Sequence, residues 1–315
     1  YRLQATSNRL QAEACSLLLV ANNMHPALFY SREDDGALRC GLCAHNCLIL
    51  PGQRGICGAR ENIDGRLYAL SYGNIVAANI DPIEKKPLYH FLPRTLSYSV
   101  ATPGCNFRCR FCQNWQIAQM QATRPPGHRA TRKRYLPENI VRAARESGCR
   151  SISYTYTEPT IFFEYALDIA RLARRQGLAN VFVTNGYINE GPLKEIADYL
   201  DAANVDLKSF REEVYSRVCG GRLAPVLDTI TRMHSLGIWV EITTLVVPGL
   251  NDDMQQLGQI ARFIAGIDKG IPWHILRFHP DYKMMDAPCT PIQTLNRARS
   301  LAHSLGLKYV YLGNV

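Results

Sequence analysis

The sequence predicts an α/β chain: a small N-terminal Cys-rich metal-binding module with its connector over residues 1–95, then a partial (β/α)6 barrel of the TIM type over residues 96–315. Three observations predict it. From about Leu96, short apolar runs alternate with helical patterns, the spacing of parallel βαβ units. Polar motifs follow the ends of successive runs, where such a barrel gathers its functional groups. Seven of the 11 cysteines fall in two tight clusters, one in each region.

Residues 1–30 read as a helical, partly polar lead-in. Residues 38–70 carry the first Cys cluster among Gly-rich turns and short strand-like pieces. Residues 71–96 read as a connector containing Asp81-Pro-Ile-Glu-Lys-Lys-Pro-Leu88. The expected strands are Leu96–Thr102, Ser151–Tyr156, Asn180–Thr184, Ala203–Leu207, Trp239–Val247 and Trp273–Phe278, with Lys308–Leu312 as a seventh. Pro137 suits a first helical position, and Gly148 can end that helix. Thr160 to Gln176 repeats apolar residues at helical spacing and then meets Gly177. Ala224 to Leu236 stops in the same way at Gly237. Six or seven such units make a partial barrel rather than a closed eight-fold one.

A chain of 315 residues can bury one barrel-sized core and a small appendage. Hydrophobic residues at 47% and charged residues at 20% describe an ordinary globular composition. No apolar run is long enough for a membrane-spanning helix, and Ala14 to Ala21 lacks the length and flanks of a signal peptide. The net charge of +9 raises nucleic acid as a partner. The densest basic run, His128-Arg-Ala-Thr-Arg-Lys-Arg134, argues against it, because it lacks the aromatics that stack bases. It reads as a solvated loop, with an acidic partner or reductant as a secondary reading. Clustered cysteines point to metals rather than disulfides, hence to a cytoplasmic protein. Cys15, Cys149, Cys219 and Cys289 read as small buried apolar residues; Cys289, flanked by prolines, is the one whose exposure matters.

Cys105, Cys109 and Cys112 lie within Gly104-Cys-Asn-Phe-Arg-Cys-Arg-Phe-Cys-Gln113. Three thiolates on one short loop can hold a [4Fe–4S] cluster and leave one iron open to a small molecule. A cluster held wholly by cysteine needs a fourth thiolate, and the next is Cys149. A structural zinc also wants four ligands. The second strand ends at Glu158, where a carboxylate can accept hydrogen bonds from an ammonium group or sit at a helix N-terminus. The third ends in Thr184 and Asn185, which suit ribose hydroxyls, and in Gly186, which allows close approach. Asp206 and Lys208 close the fourth on one side of the strand, facing either a bound carboxylate or solvent as an ion pair. After the fifth, the turn at Val247 offers backbone to adenine, or only core packing. His274, Arg277 and His279 at the sixth are ligand or substrate contacts, or structural.

Cys40, Cys43, Cys47 and Cys57 form the first cluster, in a module too small for a core of its own. Zinc is the leading reading, because the site is closed and two cysteines sit on Gly-containing knuckles. An auxiliary [4Fe–4S] cluster fits the same spacing, and His45 could replace one thiolate.

The three-Cys loop resembles that of the radical S-adenosylmethionine (SAM) superfamily. In that likeness Phe111 stands where the superfamily places an aromatic against adenine. Thr157 and Glu158 stand for the last two residues of its Gly-Gly-Glu element. Other segments narrow the resemblance: Cys40-x-Leu-Cys43-x-His-x-Cys47, Asp81-Pro-Ile-Glu-Lys-Lys-Pro-Leu-Tyr-His90, Tyr156-Thr-Glu-Pro-Thr160 and Arg277-Phe-x-Pro-Asp-Tyr-Lys283. From about residue 38 onward the chain is similar to the radical SAM enzyme of the AmmeMemoRadiSam system, related to pyruvate formate-lyase activating enzymes. The resemblance implies a [4Fe–4S] cluster, SAM, and reductive cleavage of SAM to a 5′-deoxyadenosyl radical that modifies a protein or small molecule. It also implies an electron donor such as flavodoxin or ferredoxin, and Memo-like and AMMECR-like proteins as partners. Val183 stands where many glycyl-radical activating enzymes have Asp. Two alternatives remain: activation of a glycyl radical enzyme, and a non-catalytic iron–sulfur electron carrier or scaffold.

Overall fold

The computed structural model describes residues 24–120 and 135–315. Most of the expected helical lead-in and the basic run His128–Arg134 lie outside these residues. What is described of the lead-in is extended, not helical. It contributes β1 (His25–Pro26) and the start of β2 (Tyr30–Arg32).

The Cys-rich segment folds as two small antiparallel sheets. One joins β2, β3 (Leu38–Cys40) and β4 (Leu48–Ile49); the other joins β1, β6 (Arg66–Ala69) and β5 (Arg60–Ile63). Buried Asn62 ties them together, its amide donating to the carbonyls of Gly36 and Ile49 at 2.9 Å. The module docks on the barrel through an ion pair of Arg60 with Glu164, both about 1% exposed. Both side chains also bond the backbone of Leu28.

The main sheet has eight strands. β7 (Ala77–Pro82) is an antiparallel edge on β8 (Leu96–Ala101). Then come β9 (Ser151–Tyr154), β10 (Ala179–Thr184), β11 (Ala202–Asp206), β12 (Trp239–Val246), β13 (Trp273–Arg277) and β14 (Val310–Gly313), all parallel. The seven expected strands are all present, shifted by a residue or two at their ends. β7 is an addition: residues expected to be connector belong to the sheet, so the barrel begins before residue 96.

Helices follow the strands: α1 (Trp115–Ala118) and α2 (Pro137–Glu146) after β8, α3 (Phe163–Arg175) after β9, α4 (Glu190–Ala197) after β10, α5 (Glu212–Val214) and α6 (Leu223–Ser235) after β11, α7 (Met254–Ile267) after β12, and α8 (Ile292–Ser304) after β13. On α3, Phe163, Ala166, Leu167, Ala170 and Ala173 repeat at helical spacing and are buried. The strands carry buried residues on both faces, as parallel strands covered on both sides do. Residues from β10 to β13 and the ends of β9 and β14 line one shared cavity, which requires the sheet to curl into an open barrel.

The segment Pro87 to Phe91 floors that barrel. Glu241, fully buried on β12, accepts the backbone N–H groups of Tyr89 at 3.0 Å and His90 at 2.9 Å. It also bonds His274 Nε2 at 2.7 Å. His90 reaches the Tyr311 hydroxyl at 2.7 Å, and Asn204 Nδ2 holds the Pro87 carbonyl at 2.8 Å. A segment expected to be a linker thus bridges β11, β12 and β14.

Burial opposes the charge of Glu241, but His274 and the two N–H donors outweigh it and hold its carboxyl below the usual range. A carboxylate favoured in the folded state stabilises it above the ordinary carboxylate pKa, and that support fades as pH falls through the lowered value. Replacing Glu241→Leu removes the acceptor for four donors, the N–H groups of Tyr89 and His90, His274 Nε2 and Trp239 Nε1. The variant is expected to lose about 3 kcal/mol of stability in denaturant titrations at neutral pH, and most of that difference should vanish in acid.

Candidate active site

The cluster loop leaves β8 and is gripped from two sides. On one, Arg108 N donates to Cys219 O at 2.7 Å and Arg110 N to Val218 O at 3.1 Å. These carbonyls belong to a π-helical turn, Tyr215–Cys219, that continues α5. Such turns are rare and often mark functional sites. On the other side, the Arg108 guanidinium bonds the carbonyls of Cys105 at 2.6 Å and of Ile56 in the Cys-rich module. Phe107 packs over Gly221, where an added Cβ would meet the ring at 2.3 Å.

Cys105, Cys109 and Cys112 line one cavity of about 570 Å³ together with Phe111, Thr157, Glu158, Thr184, Asn185, Asp206 and Lys208. Ten expected site residues from four loops and strand ends therefore meet. Glu158 is their hub. Its Oε1 accepts from Thr160 N at 3.0 Å, Thr160 Oγ1 at 2.6 Å and Thr184 Oγ1 at 2.7 Å; its Oε2 accepts from Asn185 N at 2.8 Å. The bond to Thr160 N makes Glu158 the N-cap of the turn leading into α3, so its structural and ligand-facing roles coexist. Burial pushes its carboxyl up from the usual range, and these bonds work against that.

Asn185 passes the register on. Its Nδ2 donates to Asn106 Oδ1 at 2.7 Å, and Asn106 sits inside the cluster loop beside Cys105. The Phe107 N–H reaches Cys105 Sγ at 3.4 Å, the kind of donor that supports a metal-bound sulfur. Gly186 has a φ of 70° and packs its Cα against Val205, where a side chain would clash. Asp206 and Lys208 pair at 2.8 Å inside the cavity, not on the outer surface. Burial opposes the Lys208 charge, but Asp206 and the Cys109 and Cys219 sulfurs outweigh it and hold the ammonium well above the ordinary lysine range. Its Nζ lies 6.0 Å from the Phe111 ring centroid.

The three thiols are poised for a cation. Burial, then Glu158 and Cys109, push Cys105 well up. Contact with Cys219, then burial, does so for Cys109. Burial and Cys109 push Cys112 up to about 11. Free thiols here hold their protons at neutral pH, and a bound iron–sulfur cluster would reverse that by supplying positive charge to three converging thiolates. As the side chains stand, no group of three or more His, Cys, Asp or Glu among the described residues is closed up enough to hold a metal ion. The donor set and the room beside it nonetheless fit a [4Fe–4S] cluster.

Three expected contacts lie away from this cavity. Val247 is fully buried and its N–H bonds Asn251 Oδ1 at 2.6 Å, so it shapes the turn after β12. His274 belongs to the barrel floor with Glu241. Arg277 Nε donates to Thr290 O at 2.9 Å. Cys289 is exposed, unlike the buried Cys149 and Cys219. Asn106 went unrecognised although it lies within the Cys motif itself. So did Tyr156, a cavity residue held at a φ of 64° with its hydroxyl bonded to Asp81.

Cys40, Cys43, Cys47 and Cys57 ring a second, enclosed cavity of about 20 Å³ with His45, Arg60 and Asn106 on its wall. His45 Nε2 is 2.8 Å from the Asn106 carbonyl, which only accepts, so Nε2 carries the proton and Nδ1 is the free nitrogen. The two cysteine sites thus meet at Asn106.

Comparison with known proteins fits this geometry. Residues 99–263 match the model of the radical SAM superfamily. An uncharacterized protein of Methanocaldococcus jannaschii is 48% identical over 293 residues, covering 93% of this chain and 86% of that one. A pyruvate formate-lyase-activating enzyme of Clostridium pasteurianum is 24% identical over 58% of this chain and 80% of its own length. A radical SAM methyltransferase from Sphaerobacter thermophilus shares the fold, with a TM-score of 0.54 at 15% identity, over 71% of this chain and 68% of that one.

Gly221→Ala would drive a methyl group into Phe107 and displace the cluster loop, an overpacking cost of about 1–3 kcal/mol. The variant is expected to retain less than half the iron of the parent after anaerobic reconstitution and desalting, with unchanged circular dichroism.

Proposed function

The chain belongs to the radical SAM superfamily, and on that premise we propose that it is a SAM-cleaving enzyme whose active site is the cavity at Cys105, Cys109 and Cys112. When bound, the [4Fe–4S] cluster and SAM supply an electron and a 5′-deoxyadenosyl radical able to attack an unactivated carbon. The residues of the chain do the placing. Cys105, Cys109 and Cys112 would hold the cluster, and three ligands would leave room for SAM to bind it. Glu158 keeps lone pairs on Oε2 for the SAM ammonium, Thr184 and Asn185 stand at the ribose, and Phe111 lies toward the adenine. Lys208 meets the SAM carboxylate. Buried Phe107 and Phe111 anchor the cysteine loop against the barrel. The observation that carries the reading is the chain Glu158–Asn185–Asn106, which fixes a buried carboxylate relative to the cluster loop.

The finer assignment is to the AmmeMemoRadiSam type, with a structural zinc at Cys40, Cys43, Cys47 and Cys57. The segment Asp81 to His90 and the four-Cys module support it. Four thiols around one enclosed cavity suit a closed four-ligand site for a single ion. The substrate is a protein or small molecule. Glycyl radical formation is not favoured by any residue of the site, and Val183 lines the cavity without a carboxylate.

Anaerobically purified, reconstituted and reduced protein is expected to hold about four irons and one zinc per chain. It should convert SAM to 5′-deoxyadenosine and methionine. Cys109→Ala should abolish that conversion while keeping the zinc. No 5′-deoxyadenosine from the parent protein would refute the reaction; about eight irons would refute the zinc.

A further inference from the structure

The cavity continues past the sulfurs into the barrel. Its inner end is lined by Tyr89 from the floor, Asn204 on β11, Thr243 and Leu245 on β12, and Leu276 on β13. None of these has a part in holding the cluster or SAM. Asn204 and Thr243 are 1% and 4% exposed. Side-chain alternation puts both on the inward face, since Asn204 pairs with Glu241 and Asp206 with Thr243.

Asn204 Nδ2 donates to the Pro87 carbonyl at 2.8 Å. A carbonyl can only accept, so the amide orientation is fixed and Oδ1 is the atom left over. Asn204 Oδ1 and Thr243 Oγ1 are both buried and both without a hydrogen-bond partner. Buried polar groups normally find partners, and leaving two neighbours unpaired weakens the fold. A binding site keeps such groups because its ligand completes them, and they then reject ligands that cannot.

The charges nearby narrow the ligand. Asp206 is engaged by Lys208, and Glu241 by His274 and two backbone N–H groups. A cationic group would find no free carboxylate on these strands. An anion would face the fixed acceptor Asn204 Oδ1. What remains is a neutral group with a donor and an acceptor side by side, flanked by apolar Leu245 and Leu276.

We propose that this inner end is the substrate subsite and that it takes a carboxamide or peptide group. The substrate N–H donates to Asn204 Oδ1, and its C=O accepts from Thr243 Oγ1. The proposal rests on the radical SAM reading for the presence of a substrate beside SAM; the recognition chemistry comes from the two unpaired atoms alone.

The test is saturation-transfer NMR on the reconstituted protein with SAM, using acetamide, N-methylacetamide, acetate and methylammonium as probes. Binding of an amide in preference to both ions is expected. Preference for acetamide identifies a terminal carboxamide, and preference for N-methylacetamide a peptide bond. Thr243→Val should raise the melting temperature, because it removes an unpaired hydroxyl. The same change should weaken amide binding roughly tenfold, and Thr243→Ser should keep it. Acetate or methylammonium binding as tightly as the amides would overturn the proposal. So would a Thr243→Val protein that binds the amide within twofold of the parent. Amide binding is read without SAM cleavage. Protein that binds amides but forms no 5′-deoxyadenosine refutes the reaction and leaves the subsite standing; the reverse refutes the subsite alone.

Discussion

The buried carboxylate of Glu158 sets the geometry of this molecule. It is 2% exposed, an environment that disfavours its charge, and it persists because the ends of two strands converge on it with four hydrogen bonds. That convergence fixes where β10 ends relative to β9. Asn185, held by its backbone to Glu158, then holds Asn106 and with it the loop of three cysteines. Asn106 in turn meets His45 of the Cys-rich module. A single line of hydrogen bonds runs from the barrel through the cluster loop to the second cysteine site. Removing the carboxylate would leave several buried donors without partners at once, which is why such networks behave as units.

A second constraint works from below. The barrel is open, since β7 and β14 are both edges of the eight-stranded sheet. An open barrel exposes its interior unless something covers it. Here the floor segment does so, with Glu241 as the acceptor for its backbone and aromatic rings of His90, Tyr309 and Tyr311 packed around it. Just before it, Lys85 and Lys86 are both paired with Asp81. Asp81 and Pro82 pair with Ser97 and Leu96 at the start of β8, so this stretch lies at the end of the barrel opposite the cluster loop, which follows Ala101.

Much of this was legible in the sequence. The alternation of apolar runs and helical patterns placed seven strands to within a few residues, because parallel strands buried on both faces leave a plain signal. The polar residues at the first four strand ends were also readable, since Cys105, Glu158, Asn185 and Lys208 each follow an apolar run directly. The pattern failed where a residue serves the barrel rather than the site. His274 looks like a strand-end ligand but alternates inward to Glu241, a partner 33 positions earlier that no local pattern reveals. Val247 lies one residue beyond its strand, where the turn consumes its N–H. The segment after Asp81 reads as a linker because its order comes from tertiary bonds to β11 and β12, not from any period of its own. Asn204 and Thr243 were invisible for a related reason: a polar residue within an apolar strand declares nothing until its neighbours prove unable to pair with it.

The claim that most depends on all of this is that one iron at Cys105, Cys109 and Cys112 is open to SAM and that Glu158 lies within reach of it. Electron paramagnetic resonance of the reduced, reconstituted protein tests it most directly, recorded with and without SAM. SAM is expected to change the cluster signal of the parent protein and to leave that of Glu158→Leu unchanged at the same concentration. A parent signal that SAM does not alter, in protein carrying a full cluster, would contradict it.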